Sequence, residues 1–439
     1  MTNTNATFGL PRGMRDIEPL EMARKLWVEE TITKSIRGFG FSFVEPSPLE
    51  NMETLVAKSG EGVRNEIYGF KDKADREIGL RFDLTVGLAR MVAGKMDWAK
   101  PIKLAAISNM WRYDEPQFGR YRCFYQWDVE VFGVAGVEAD AEVISAGVGA
   151  LESLGLKEFE VRINSRELVE GLLEEAGVSA DKTSSAMRAI DKLAKVGKAK
   201  VLSELKAAGV SEKAGSKVLE LCGTRGNLKD TVKLVKVKGS NGKNEKIASG
   251  TAKLEKLAEL LGAYGCLDRC VLDLSVVRGI DYYTGIVYEI YDTASPELGA
   301  IAGGGRFDGL VKVFNGGDVP ATGIAGGIER LMLSLEKAKA YPRILEAAEV
   351  VVVPVNEKMY NEALKIAAKI REAGISCDID LLKRNLSKQV SGAAKKGARF
   401  AFIVGERELK EKKVNVRNLE TGKEELKGLD EAVKYVKGN

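Results

Sequence analysis

Histidine is absent from all 439 residues. No imidazole can serve as a general base, a metal ligand or a near-neutral pH switch, so Ser-His-Asp and Cys-His catalysis are excluded. Any proton transfer falls to carboxylates, tyrosines, the substrate or water. Cysteine is scarce: the five thiols, Cys123, Cys222, Cys266, Cys270 and Cys377, are odd in number and scattered. With no histidine to complete a ligand set, the Cys266-x-x-x-Cys270 pair makes a poor zinc site, so reduced structural thiols and no metal-ligating residue are expected. No run approaches the roughly 20 apolar residues of a membrane helix. The opening MTNTNATFGLPRG lacks the charged and apolar regions of a signal peptide. A cytoplasmic protein with no membrane partner is the expectation.

What is present is unevenly distributed. Residues 181–260 hold 18 lysines and arginines against 9 acids, and 341–439 are also net basic, so the remainder is net acidic although the whole chain carries only +4. Basic segments on an acidic body fit a phosphate-rich partner, although lysine-rich solvated helices give the same count. Helical spacing runs through 16–40, with Leu20, Ala23, Leu26, Trp27, Ile32 and Ile36 and stop signals at Gly38 and Gly40. FSFVEPSPLE reads as an extended strand closed by Pro46 and Pro48. A strand over 79–84 leads into a helix through Met91, 141–153 reads as helix, and strands are expected at 158–164, 271–277 and 286–291. Lys/Ala-rich helical patterns fill 165–262. From 345 on, EVVVVPV, ISCDIDL and FAFIVG alternate with helical patterns, which predicts a separate α/β domain with a largely parallel sheet.

Trp111 to Gly133, WRYDEPQFGRYRCFYQWDVEVFG, reads as the end of one strand (102–112), a loop broken by Pro116 and Gly119, and a second strand. Period two sends Tyr121, Cys123, Tyr125, Trp127, Val129 and Val131 to one face, and Arg122, Phe124, Gln126, Asp128 and Glu130 to the other. A half-solvated sheet with a charged outer face would read the same way. Three further stretches stand beside it. LRFDLT (80–85) sets Arg81, Asp83 and Thr85 on one face of a strand, opposite Leu80, Phe82 and Leu84. VVRGIDYYTGIVYE (276–289) gathers an arginine, a carboxylate and two tyrosines around glycines, and GIAGGIERL (323–331) lets bare backbone approach a ligand before a helix that opens with Arg330.

The order of these motifs resembles a class II aminoacyl-tRNA synthetase, and within that class the histidyl-tRNA synthetase family. The first class motif, a helix and strand ending in proline at a dimer interface, matches 16–50 with Pro46. The second matches Trp111 to Glu130 and the third Gly323 to Leu331. GLPRGMRD (9–16), LRFDLT and RGIDYYTG (278–285) are particular to the histidine enzymes and their paralogues. Phe82 stands where proline is more usual, and 233–262 has no matched counterpart. The resemblance implies an α+β catalytic domain with a mainly antiparallel sheet from 1–165 and 265–338, a mostly helical basic insertion over 166–264, and an anticodon-binding-like α/β domain over 345–439.

It also implies a homodimer that activates L-histidine with ATP and Mg²⁺ and charges tRNA(His). Asp83, Thr85 and Gln126 would take the α-ammonium of histidine, and Glu130 and Tyr283, with Tyr282 nearby, its imidazole. Arg112 and Arg278 would bracket the α-phosphate and Arg330 would hold the γ-phosphate, these three arginines being the catalytic set. Glu115 and Arg120 would meet adenine, phosphate and the tRNA end. A basic helix with Lys383, Arg384, Lys388, Lys395, Lys396 and Arg399, in a stretch (381–400) without an acid, would lie on the tRNA anticodon stem-loop. The alternative is a catalytically silent histidine-binding paralogue, such as the regulatory subunit of ATP phosphoribosyltransferase. Such paralogues usually lack the C-terminal domain and lose arginines of the catalytic set. Arg112, Arg278, Arg330 and 345–439 are all present here.

Overall fold

The computed structural model describes residues 9–57, 61–116, 119, 121–238, 244–277, 283–345 and 348–438. The expected Arg120, Arg278 and Tyr282 lie outside them. The chain divides into two compact units, Met1–Asp16 with Lys25–Tyr341, and Ile17–Arg24 with Pro342–Asn439.

The larger unit is built on a nine-stranded sheet. In chain order its strands are β1 (Ser42–Phe43), β2 (Ile102–Trp111), β3 (Cys123–Phe132), β4 (Phe159–Ser165), β5 (Arg225–Asn227), β6 (Cys270–Asp273), β7 (Ile286–Asp292), β8 (Ala300–Arg306) and β9 (Ala321–Gly327). They lie side by side in the order β1-β2-β3-β9-β8-β7-β4-β6-β5. Only the β1–β2 and β4–β6 pairings are parallel. The sheet is thus mainly antiparallel, as the family resemblance implied.

β2 and β3 form an unbroken ladder from Ile102 opposite Phe132 to Trp111 opposite Cys123. Both faces of β3 are covered. Trp127, Val129 and Val131 pack with helix Glu138–Ser153, whose buried residues include Val143, Ile144 and Leu151. On the opposite face of the sheet, Phe132 of β3 with Leu104 and Ala106 of β2 shares a cluster with Leu84 and Leu88 at the start of helix Thr85–Ala93. A solvated outer face is therefore not what places Gln126, Asp128 and Glu130.

Two expectations shift. Helix Pro19–Gly38 buries Lys25, Val28, Ile32 and Ile36 at helical spacing, while Leu26 stays 46% exposed. LRFDLT is not one strand: its strand, Glu77–Leu80, ends before Arg81, and Thr85 already opens a helix, so the alternation of faces fails there. The glycine-dense 300–306 is a strand, β8. A Cβ on Gly304 would sit 1.9 Å from the Gly323 carbonyl oxygen, so bare backbone lets β8 and β9 approach as they do.

Residues 166–264 are mostly helical, with β5 as a short exception. Leu168, Val232, Ile247, Leu254 and Leu261 share one apolar cluster with the sheet's Trp127 and Val161. The described part of 233–262, without a counterpart among the motifs, holds the end of helix Leu228–Lys238 and most of helix Glu245–Ala263. Among the described residues no helix is long and apolar enough to cross a membrane.

The smaller unit has a five-stranded sheet in the order Cys377–Ile379, Val350–Pro354, Phe400–Val404, Lys413–Asn418, Glu424–Gly428. The first two pairings are parallel, with helices on both faces: Val350, Val352, Phe400 and Phe402 meet Ile366 and Ile370, while Val351, Val353 and Ala401 meet Ala393. The last two pairings are antiparallel, so the sheet is mixed rather than largely parallel. Val414 and Val416 alternate inward in that hairpin, and its turn holds Gly422 at φ +73°. Dense surrounding charge hid this signal.

Candidate active site

β3 carries the polar row. Asp128 and Glu130 are each 1% exposed, and Gln126 Oε1 is buried with no hydrogen-bond partner among the described residues. Cross-strand register explains the space above them. Gln126, Asp128 and Glu130 stand opposite Ser108, Ala106 and Leu104 on β2, and opposite Gly327, Ala325 and Gly323 on β9. Gly323 pairs in turn with Gly305 on β8. A Cβ on Gly323 would lie 2.7 Å from Glu130 Cγ, and one on Gly305, at φ +153°, would lie 3.0 Å from the ring of buried Tyr283. Glu130 therefore lies over Gly323 and Tyr283 over the neighbouring Gly305, side by side on one face of the sheet.

The second group gathers at the far end of β2. Arg112 follows its last residue. Its Nε donates to the Phe82 carbonyl at 2.9 Å, and its guanidinium lies 5.1 Å from the Phe124 ring. Asp83, half-buried, accepts the Val86 N–H at 3.0 Å through Oδ1 and so caps helix Thr85–Ala93. Arg112 is thereby held on the carbonyl of the residue just before Asp83. Thr85 opens the capped helix and is half-buried. The N-terminal GLPRGMRD steadies the start of the loop after β2. Arg122 donates to the Arg12 and Asp114 carbonyls at 3.1 and 3.0 Å, and Gly13, at φ +82°, leaves no room for a Cβ beside Arg122. Glu115 is exposed and pairs with Arg12 at 2.7 Å, so it is not brought into the polar row.

Arg330 lies in the first turns of helix Ile328–Lys337, directly after β9, and donates to the Ala300 carbonyl at 3.0 Å. Its neighbour Glu329 escaped the sequence reading. The β3–β9 ladder stops at Gln126 opposite Gly327. At the next position both carboxylate oxygens of Glu329 accept the Tyr125 N–H, at 3.0 and 3.1 Å, where a strand carbonyl would otherwise stand. Burial pushes Glu329 up to about 7, against the pull of its own and Tyr125's N–H groups, Arg15 and Lys25. Lys25 is itself buried, 2.7 Å from Glu29 and 3.5 Å from the Tyr125 ring centroid. Arg81, which the sequence set beside Asp83, is 3% exposed and turns instead toward β2 and the Pro46 segment.

In the smaller unit the basic segment is no single helix. The helix runs Leu386–Lys395, leaving Lys383 and Arg384 before it and Lys396 and Arg399 after it. Nor is it free of acids in space. Glu357 pairs with Lys383 at 2.9 Å, Asp380 with Arg384 at 2.8 Å, Asp378 with Lys396 at 3.8 Å and Glu349 with Arg399 at 2.8 Å. Lys388 is exposed on the helix's first turn.

Comparisons with known proteins address the same two units. The family described as histidyl-tRNA synthetase matches residues 13–331, and the anticodon binding domain matches 349–439. A histidine–tRNA ligase of Pyrococcus furiosus is 39% identical over 97% of this chain and 98% of its own, and one of Pyrococcus horikoshii is 39% identical with the same coverage. The crystal structure of histidyl-tRNA synthetase from Nostoc sp. PCC 7120 superposes with a TM-score of 0.88 at 29% identity, covering 98% of this chain and 99% of that one. With relatives aligned end to end and the family matched across the whole polar row, the chain belongs to the histidyl-tRNA synthetase family.

Proposed function

We propose that this chain ligates histidine to tRNA(His), activating it with ATP to histidyl-adenylate and passing the histidyl group to the 3′-terminal adenosine. The observation that carries the reading is the buried carboxylate of Glu130 beside the buried Tyr283, each over a glycine of the neighbouring strands. A site built on such a pair favours a ring that donates to the carboxylate and meets the tyrosine hydroxyl, and it rejects side chains that leave those groups unpaired. Tyr282 stands beside Tyr283 in sequence and belongs to the same recognition. Gln126, Asp83 and Thr85 offer oxygen acceptors to the α-ammonium.

Activation is an in-line displacement. The histidine carboxylate oxygen attacks the α-phosphorus, the bond to the bridging oxygen of the β-phosphate breaks, and pyrophosphate leaves. Arg112, held by the Phe82 carbonyl, and Arg278 bracket the α-phosphate and stabilise the charge that develops there. Arg330 holds the γ-phosphate, while Glu115 and Arg120 meet adenine, phosphate and the tRNA end. In transfer, the ribose hydroxyl attacks the acyl carbon, its proton passes to the adenylate phosphate or Asp83, and AMP leaves. Among the described residues no three carboxylates or thiols converge into a metal cage. Mg²⁺, a hard cation, would be carried by the phosphate oxygens of ATP itself and would offset their charge.

Lys383, Arg384 and Lys388 lie on the anticodon stem-loop side of the tRNA interface. β1, at the open edge of the sheet, and the exposed Leu26 support a homodimer built on the first motif. The test is histidine-dependent ATP–pyrophosphate exchange compared with every other amino acid. Exchange with histidine alone is expected. Tight histidine binding without exchange would instead select the silent regulatory paralogue.

A further inference from the structure

Arg81 is a buried cation, and a buried guanidinium must set its five N–H donors on acceptors. Nε donates to the Asn109 carbonyl at 2.9 Å and one Nη to the Pro46 carbonyl at 2.5 Å. The other Nη reaches the Ser108 hydroxyl, Asn109 Oδ1 at 3.2 Å and Glu45 Oε1 at 3.4 Å. The main chain repeats the link: the Arg81 N–H donates to the Pro48 carbonyl at 3.0 Å, and the Arg81 carbonyl accepts from Trp111 at 3.1 Å. One residue thus joins segment 45–48 to the end of β2. Ser108 is the cross-strand partner of Gln126, and Trp111 precedes Arg112. The next two residues are Phe82, whose carbonyl holds Arg112, and Asp83.

We propose that Arg81 is a positioning residue for histidine activation. By locking segment 45–48 onto β2 it fixes the Phe82 carbonyl and the Asp83 carboxylate, and through them the Arg112 guanidinium. This inference rests on the function proposed above. Fold stability alone does not require a cation here, since well-packed apolar side chains commonly replace buried ion pairs without loss. A fixed fork of donors does what an apolar side chain cannot: it sets two segments in one register. Misplacing a reacting group by about 1 Å can lower a rate by roughly 100-fold.

The experiment is Arg81→Lys in the full-length protein, assayed by pyrophosphate exchange and normalised to active sites by the burst of adenylate. The ammonium keeps the charge and loses the fork. Per-site kcat is expected to fall on the order of 10- to 100-fold, with the KM values for histidine and ATP both raised. A merely structural role would reduce the number of titratable sites and leave per-site kcat and both KM values unchanged; that result overturns the proposal. Should Arg81→Lys not fold, Ser108→Ala decides, because it removes one acceptor of the same fork. A several-fold rise in KM for ATP or histidine is then expected, and wild-type constants overturn the assignment. Wild-type protein without histidine-dependent exchange would sink the functional reading and this proposal with it, whereas normal wild-type exchange beside unaltered variants rejects Arg81 alone.

Discussion

The polar row on β3 and the basic segment around helix Leu386–Lys395 are both dense in charged and polar side chains, and they obey opposite rules. Asp128 and Glu130 are almost wholly buried, so each ionised oxygen must be met by a donor or destabilise the fold by several kcal/mol. Lys383 and Arg384 are exposed, and solvent screens the ion pairs they make. Burial makes single side chains decisive in the first region. In the second, affinity for a polyanion is a sum of small, salt-dependent contributions.

Substitutions can break or sharpen that contrast. The largest effect is expected for Arg112→Ala, which removes a preorganised cation from the α-phosphate: kcat for pyrophosphate exchange should fall on the order of 10²- to 10³-fold, read by single-turnover adenylate formation. A loss under tenfold would remove Arg112 from the chemistry. Next comes Glu130→Gln, a neutral isostere that weakens the bond to the imidazole. The expected loss is on the order of 10²-fold in kcat/KM for histidine, with KM for ATP little changed. An equal rise in both KM values would place Glu130 outside the amino-acid slot.

Glu329→Gln addresses stability rather than chemistry. Glu329 moves from an ordinary 4.5 up to about 7 on folding, so the folded state holds its proton more tightly. That stabilisation is fully present below about 4.5 and is lost as pH rises toward 7. Denaturant titrations should therefore show wild-type stability declining across that window by on the order of 2 kcal/mol more than in the variant, whose amide oxygen still accepts the Tyr125 N–H. Parallel pH curves for the two proteins would show that the carboxylate is not held protonated. The smallest effect belongs to Lys388→Glu. It should raise KM for tRNA a few-fold and make charging less sensitive to added salt, measured against pyrophosphate exchange as the reference. A 100-fold loss would mean that this exposed lysine behaves like a buried group, and the contrast between the regions would fail.

Much of the candidate site was legible in the chain. Alternation along 123–131 set Gln126 and Glu130 on one face, and the motif order named Asp83, Arg112, Tyr283 and Arg330. Reading LRFDLT as a strand failed because Asp83 caps a helix, so Arg81 leaves the face it was assigned. The acid-free stretch 381–400 looked more basic than it is, because its counter-charges arrive from Glu349, Glu357, Asp378 and Asp380. The lack of histidine predicted that no protein imidazole titrates between about pH 6 and 8. A buried carboxylate, Glu329, occupies that window instead.

By itself, the sequence determined what is local or compositional: the missing imidazole, the period of each element, the breaks at Pro116 and Gly119, and the order in which chemistry-bearing motifs follow one another. The tertiary structure alone decided which faces are covered, which cations are neutralised, and which buried groups are held by which backbone. The reason is distance along the chain. Periodicity fixes where a side chain points relative to its near neighbours, whereas Glu329 meets Tyr125 from 204 residues away and Arg81 meets Pro46 from 35, and only folding brings those partners together.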